Sequence, residues 1–260
     1  MAEISPVLKR RDDKVQILVI CNPGKRNATN VRFYTALSEA LTTAAAEKEI
    51  GAVVLTGADG FFSAGGELQQ LVNYRPFSAD ARRQRVDALH DLVRLMRDFP
   101  KPLVAAVEGG AAGAGFSLAL ACDLLVAATD AFFAVAHVKV GLTPDGGITS
   151  FLAQNLSRQL LMQLCLTGNR ITAPQLHAWG MVNELTEPGG AEAAGVALAA
   201  RLAKGPPEAM TRIKALCRGA AEQRLDFQLA AEADAMVAAQ ASSESVEGIA
   251  AFFARRPPVF

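Results

Sequence analysis

Apolar residues recur along this chain in two rhythms. Four short runs, VQILVI (Val15–Ile20), AVVLTG (Ala52–Gly57), PLVAAV (102–107) and DLLVAAT (123–129), are apolar at nearly every position. That is the pattern of strands buried on both faces. Between them the repeat lengthens to three and four residues, which predicts helices over 31–48 and 80–98. In the second of these Val86, Leu89, Val93 and Met96 share one stripe, with the arginines on the far face. Beyond about Gly147 the pattern becomes helix after helix, much of it rich in alanine. There Leu225, Leu229, Met236 and Val237 form a stripe that leaves out Glu222, Arg224 and Glu232, so the tail is expected to pack on the core or on a neighbouring subunit. The implied organisation is an α/β core over residues 1–190, followed by a helical C-terminal segment over 191–260.

Composition narrows the class. The chain has 260 residues, 51% of them hydrophobic, which suffices for one large domain. Lys plus Arg and Asp plus Glu balance at 26 each, so net charge argues for neither nucleic acid nor an anionic membrane. Cys21, Cys122, Cys165 and Cys217 are scattered without a CxxC or any metal-ligand spacing, as small buried hydrophobes of a reducing compartment would be. The N-terminal stretch lacks a signal-type apolar core, and no apolar run reaches the roughly 18 residues that span a bilayer. A cytoplasmic protein is expected.

Two glycine clusters carry the candidate chemistry. FFSAGGEL (61–68) follows the second apolar run, and EGGAAGAGFSLALACD (108–123) follows the third and opens a predicted helix over 114–121. Glycine there means a turn or a close approach of backbone to something else. Free N–H groups at a helix start attract negative charge, whether a phosphate or the oxygen of a polarised carbonyl. Gly109, Gly113 and Gly115 match a dinucleotide-binding spacing of short-chain dehydrogenases. Those enzymes also need Tyr-x-x-x-Lys, whereas Tyr34 and Tyr74 are each followed four residues on by serine. G-x-S-x-G, the P-loop and His-x-x-x-His are absent as well.

With NPGKRNA (22–28), KPLVAAVEGGAAGAG (101–115), GLTPDGG (141–147), TGNRITAPQLHAWGMVNEL (167–185) and AFFARRPPVF (251–260) added, the chain resembles the crotonase, or enoyl-CoA hydratase/isomerase, superfamily from about residue 15 to its end. The resemblance implies a crotonase-like core of repeated ββα turns, a C-terminal trimerisation segment, and a homotrimer or dimer of trimers. It also implies an acyl-CoA substrate, as in fatty acid metabolism, whose thioester oxygen is held by the backbone N–H groups of Gly66 and Ala114. Two fixed donors there would favour an enolate over the ground state. By the same resemblance Lys25 and Arg26 lie beside the adenine and phosphates of CoA. Ala64, Gly65, Leu68 and Gly113 join them in binding CoA, and Phe252 and Arg255 touch CoA, often from a neighbouring subunit. CoA arrives with the substrate, and no metal or redox cofactor is implied.

Hydratases of this superfamily use two glutamates, at the positions held here by Ser117 and His137. Asp145 remains, at the place where several enoyl-CoA isomerases of the superfamily carry their single acid/base. One carboxylate suffices to take a proton from one carbon and return it at another. In Pro-Asp-Gly-Gly it could equally cap the following helix. His137 reads as a second polar group of the acyl pocket or, in preference, as a core histidine bonded to backbone. His90 borders the acyl-pocket stripe; a dehalogenase branch pairs such a histidine with an aspartate, but carries a tryptophan where His137 stands. Glu67 reads as a helix-start residue favoured by the dipole, and His177 and Trp179 are assigned no chemistry. The favoured expectation is an enoyl-CoA double-bond isomerase with Asp145 as acid/base. The alternatives are a hydratase, lyase or hydrolase with altered acid/base residues, and a non-catalytic acyl-CoA-binding protein.

Overall fold

A computed structural model describes residues 5–221 and 223–260; Glu222, expected off the C-terminal stripe, lies outside them. In chain order the elements are β1 (Val7–Asp12), β2 (Val15–Ile20), α1 (Val31–Ala46), β3 (Ala52–Gly57), α2 (Leu68–Tyr74), α3 (Ala79–Asp98), β4 (Leu103–Val107), β5 (Gly110–Ala112), α4 (Ala114–Leu120), β6 (Leu124–Ala128) and β7 (Phe132–Ala134). Then come α5 (Ile148–Ala153), α6 (Arg158–Thr167), β8 (Arg170–Thr172), α7 (Ala173–Ala178), β9 (Glu184–Thr186), α8 (Ala191–Leu202), α9 (Pro207–Ala220), α10 (Leu225–Gln240) and α11 (Ser243–Ala254).

All four apolar runs become strands of one six-stranded sheet, ordered β1-β2-β3-β4-β6-β9. From β2 to β9 the pairs are parallel, with Val15 opposite Ala52 and Val104 opposite Leu124. Strand β1 runs antiparallel to β2 at the edge. Its sequence, VLKRRD, buries only Val7, and a charged edge strand resists unwanted pairing, so no hydrophobic period announces it. A second sheet, β5-β7-β8, is built from strands of three residues each, too short to show a pattern.

Alternation divides the apolar runs between two layers. Leu18, Ile20, Val53, Leu55, Leu103 and Val107 face α1 and α3 in the larger core, with Leu37, Leu41, Leu92 and Met96. Val15, Ile17, Val54, Val104 and Val126 face the other way, onto Ala191 and Ala199 of α8. Helix α8 lies close because it is small: a Cβ on Gly195 would sit 3.0 Å from the Ala106 methyl.

Two helical faces differ from expectation. On α3 the stripe is Leu89, Leu92, Val93 and Met96, while Val86 stays exposed. Arg85 is not on the far face: it is half-buried, its guanidinium 4.3 Å from the centre of the Tyr74 ring. On α10 the expected stripe finds no core, since Leu225, Leu229, Met236 and Val237 are all exposed. Helix α10 rests on α9 and α11 instead.

The C-terminal helices are tied to the core by charge. Lys214 of α9 donates to Asp123 Oδ2 and to the Lys101 carbonyl, each at 2.6 Å, while Asp123 accepts the Leu103 N–H at 2.7 Å. Burial pushes the Asp123 carboxyl up and the Lys214 amine down, and their mutual attraction opposes both shifts. Removing one partner strands the other charge in a poorly solvated site. Lys214→Met is therefore expected to lower unfolding free energy by about 3 kcal/mol in urea titrations, with Asp123→Asn in the same chain restoring part of it.

Candidate active site

The two glycine turns meet. After β3 a short 3-10 turn, Ala58–Gly60, leads into residues 61–66, which run beside β5 through a parallel bridge between Ser63 and Ala111. Ser63 N–H donates to Gly110 O at 3.2 Å, and Ala112 N–H donates to Ser63 O at 3.0 Å. A second bridge joins Gly66 to Thr29: Thr29 N–H donates to Gly65 O at 2.7 Å and Glu67 N–H to Thr29 O at 2.9 Å. The buried Asn27 amide fixes the loop from behind, donating to Ala58 O at 2.8 Å and Phe61 O at 2.6 Å. Ser63 Oγ donates to Asn27 O at 2.8 Å and accepts the Gly65 N–H at 3.2 Å.

Gly65 has a φ of +90°, and a Cβ there would lie 2.6 Å from Ala112 O and 3.2 Å from the Ala114 nitrogen. A Cβ on Gly115 would fall 2.6 Å from Ser63 O. The turns dock backbone to backbone, which is why side chains are surrendered at both. Gly66 differs, because no atom lies within 4 Å of its Cβ position. Among the described residues neither the Gly66 nor the Ala114 N–H donates to a protein acceptor. The turn contact thus holds two amides of adjoining segments with their bonding capacity unspent.

Next to them stands the acid. Residues 136–140 form a 3-10 turn, and Asp145 precedes α5. Its carboxylate does not cap that helix; the N-cap is Gly147, without a side-chain bond. Asp145 Oδ1 instead lies 3.2 Å from His137 Nε2. This corrects the preferred reading of His137, whose ring bonds a carboxylate and not backbone, and whose Nδ1 is buried without a partner. Ser117, fully buried, directs its hydroxyl to the backbone oxygens of Asp145 (3.1 Å) and Gly113 (3.4 Å). A Cβ on Gly113 would be 3.7 Å from His137 Nε2, and one on Gly146 would be 3.3 Å from Leu89 Cδ2 of α3. The second turn, His137, Asp145 and the inner face of α3 therefore border one region. Burial pushes the Tyr34 phenol above the ordinary range, its hydrogen bond with Thr29 opposes this, and the Asp145 charge adds to the rise.

Glu67 is more than a helix-start residue. It is buried, and its carboxylate holds Lys25, the Asn30 amide (3.2 Å) and the Gln70 amide (3.4 Å). The Lys25 hydrogen bond, foremost, holds the Glu67 carboxyl below its usual range. Lys25 is thereby committed to the turn. Arg26 is not: it lines a cavity of about 420 Å³ beside Ala64, with Phe61, Phe132, Lys139 and Arg170. The Arg170 guanidinium stands 4.0 Å from the Phe132 ring centre, and Arg26 stands 5.7 Å from that of Phe61. Two guanidiniums over aromatic faces, with Lys139 beside them, suit an anionic ligand that carries a ring.

Other expected residues are not gathered here by this chain alone. Phe252 and Arg255 are exposed near the chain end, and among the described residues no hydrogen bond or ion pair joins them to the turns. His90 faces Asp87 of its own helix at 3.9 Å and does not reach Asp145. Leu68 is exposed on the first turn of α2. His177 bonds the Val182 carbonyl at 2.8 Å, in keeping with no chemical role. Sequence reasoning gave no role to Lys139, Arg170 or Tyr34, which are placed by the 136–140 turn, β8 and α1. Among the described residues no group of three or more His, Cys, Asp or Glu could hold a metal ion, and no helix is long and apolar enough to cross a membrane.

Comparison with known proteins bears on the family and the fold. Residues 10–260 match the enoyl-CoA hydratase/isomerase family model. The chain is 35% identical to 1,2-epoxyphenylacetyl-CoA isomerase of Escherichia coli (strain K12), over 98% of this chain and 97% of that protein. It is 32% identical to 2,3-dehydroadipyl-CoA hydratase of the same organism, over 99% of each. The crystal structure of an enoyl-CoA hydratase from Polaromonas sp. JS666 superimposes with a TM-score of 0.95 at 42% identity, covering 97% of this chain and 98% of that one. Fold and docked turns together define an α/β protein of the crotonase type. The chain belongs to the enoyl-CoA hydratase/isomerase family and is an enzyme of that family.

Two outcomes test the turn architecture. Gly65→Ala forces a methyl into the Ala112 carbonyl and should cost at least about 2 kcal/mol in thermal or urea unfolding, whereas Gly66→Ala should stay within about 0.5 kcal/mol of wild type. The Glu67 carboxyl has a lowered folded pKa, so its contribution is present above the ordinary glutamate range and fades as pH falls through the folded value. Wild type should exceed Glu67→Gln by about 1–3 kcal/mol at neutral pH, a gap that closes on acidification in urea titrations run across pH.

Proposed function

We propose that the enzyme shifts a carbon–carbon double bond of an enoyl-CoA, with Asp145 as the single acid/base. The observation that carries this is the position of one ionisable carboxylate beside two unspent backbone donors. The thioester oxygen accepts from the Gly66 and Ala114 N–H groups. Asp145 takes a proton from C2 of a 3-enoyl thioester, and the electron pair spreads over C2–C4 and the carbonyl. Charge then collects on the oxygen the amides hold, so their stabilisation grows as the dienolate forms. The same carboxyl returns the proton at C4, leaving the 2-enoyl product. No net oxidation and no added water are involved.

His137 is the positioning residue. With its proton on Nε2 it donates to Asp145 Oδ1, which leaves Oδ2 for the substrate carbon and fixes the carboxylate plane. Its ring sits in a side chain only 10% exposed. The cavity beside Arg26 suits the phosphates and adenine of CoA, and Ala64 links it to the first turn. CoA enters as part of the substrate, and the reaction as written needs no other group. The exposed apolar face of α10, with Phe252 of α11 and Arg255 just beyond its end, supports assembly as a trimer or dimer of trimers.

Hydration is the second reading, and the names of the hydratase relatives favour it. It requires a second group to activate water. Ser117, at one of the two expected glutamate positions, is fully buried, with its hydroxyl spent on backbone. A single carboxylate favours the proton shift.

The deciding experiment follows conversion of 3-enoyl-CoA to 2-enoyl-CoA by absorbance, with product analysis for 3-hydroxyacyl-CoA. Asp145→Asn is expected to lower kcat by about 10²- to 10⁴-fold with a smaller change in KM. Full turnover in that variant would remove Asp145 from the mechanism, and 3-hydroxyacyl-CoA as main product would establish hydration.

A further inference from the structure

Among the described residues Arg85 is a charged donor whose Nη1 is buried without a hydrogen-bond acceptor, and no carboxylate there reaches it within ion-pairing distance. Guanidinium stays charged at any working pH, and a covered donor without an acceptor costs free energy. The nearby acids are engaged: Asp87 bonds Arg83 at 2.8 and 3.0 Å, and Glu67 holds Lys25, Asn30 and Gln70. Helix geometry puts Arg85 one turn from Leu89 on the same side of α3, and Leu89 is the residue that meets the backbone beside Asp145. Tyr74, which closes α2, covers one face of the guanidinium, and Phe77 packs edge-on against Tyr74 with ring centres 4.8 Å apart. The charge of Arg85 is also felt at Tyr34 and Glu67. Arg85 therefore meets α2 through Tyr74 and lies one helical turn from Leu89 on α3.

We infer that Arg85 is a specificity determinant that binds a carboxylate at the far end of the acyl chain, so that the preferred substrates are ω-carboxyacyl-CoA thioesters. A carboxylate matches the guanidinium fork in its plane, while Tyr74 occupies the face, so the two contacts are compatible. None of the residues of α2 is buried, so this wall can part to admit a chain end. A methyl-ended chain would leave Nη1 unpaired, and hydrogen bonds to charged groups set the size of the preference.

The inference rests on the acyl-CoA reading of the site, but binding tests it without turnover. Dissociation constants are measured by calorimetry for butanoyl-, hexanoyl- and octanoyl-CoA and their ω-carboxyl counterparts, with wild type, Arg85→Met and Arg85→Lys. Wild type should bind at least one ω-carboxyl ester about tenfold or more tighter than its methyl-ended partner. The ratio should approach one in Arg85→Met and fall between in Arg85→Lys. Equal or weaker binding of every ω-carboxyl ester by wild type, or an unchanged ratio in folded Arg85→Met, overturns the proposal. Failure of the double-bond shift with the binding ratio intact sinks only the proposed reaction, while binding of neither ester class overturns the acyl-CoA site and this inference with it.

Discussion

Backbone packed on backbone, between residues 61–66 and residues 110–115, is the contact on which the site depends. Two carbonyl–amide bonds of the Ser63–Ala111 bridge fix the register. Missing Cβ atoms at Gly65 and Gly115 allow the approach, since either would meet a carbonyl oxygen at 2.6 Å. Buried Asn27 and Ser63 hold the outer loop in place. A donor pair built this way needs no rotamer to be frozen and no side chain to be oriented at the moment of reaction. Its cost was met in folding, by burial of the four apolar strands beneath it.

The acid is positioned by a different device. Asp145 lies in a loop, and loops hold side chains loosely unless something fixes them. Here His137 fixes the carboxylate, and Ser117 fixes the backbone beneath it. The arrangement carries its own penalty, an unpartnered His137 Nδ1 away from water. Unsatisfied polar atoms are uncommon in folded cores and concentrate where chemistry needs them. A carboxylate capping α5 would have been the more stable arrangement locally, yet Gly147 occupies that position with no side chain at all.

Charge is neutral in sum and specific in place. Lys25 and Glu67 neutralise each other at the turn, Lys214 and Asp123 do so at the base of the C-terminal helices, and both pairs serve the fold. Arg26 and Arg170 are instead set against aromatic rings round one cavity that Lys139 also lines, and Arg85 against Tyr74 in another region. A balanced composition gave no argument for a nucleic-acid partner and did not bear on these local sites, because small anions respond to a few ångströms of surface and not to the whole field.

Apolar patterning was enough for β2, β3, β4 and β6 and for α1 and α3, because a strand buried on both faces and a helix buried on one leave different periods in the chain. The glycine clusters were legible for a related reason, since glycine is costly unless something requires it, whereas Asp145 was singled out only through the family resemblance. The sequence was silent on β1, whose side chains face water, and on β8 and β9, which are shorter than any period. Nor could it say that His137 meets Asp145, that Arg85 turns inward, or that the α10 stripe finds no core. Those outcomes depend on which surfaces of distant segments come within a few ångströms, and a one-dimensional pattern carries no information about a contact whose two sides are separated by a loop.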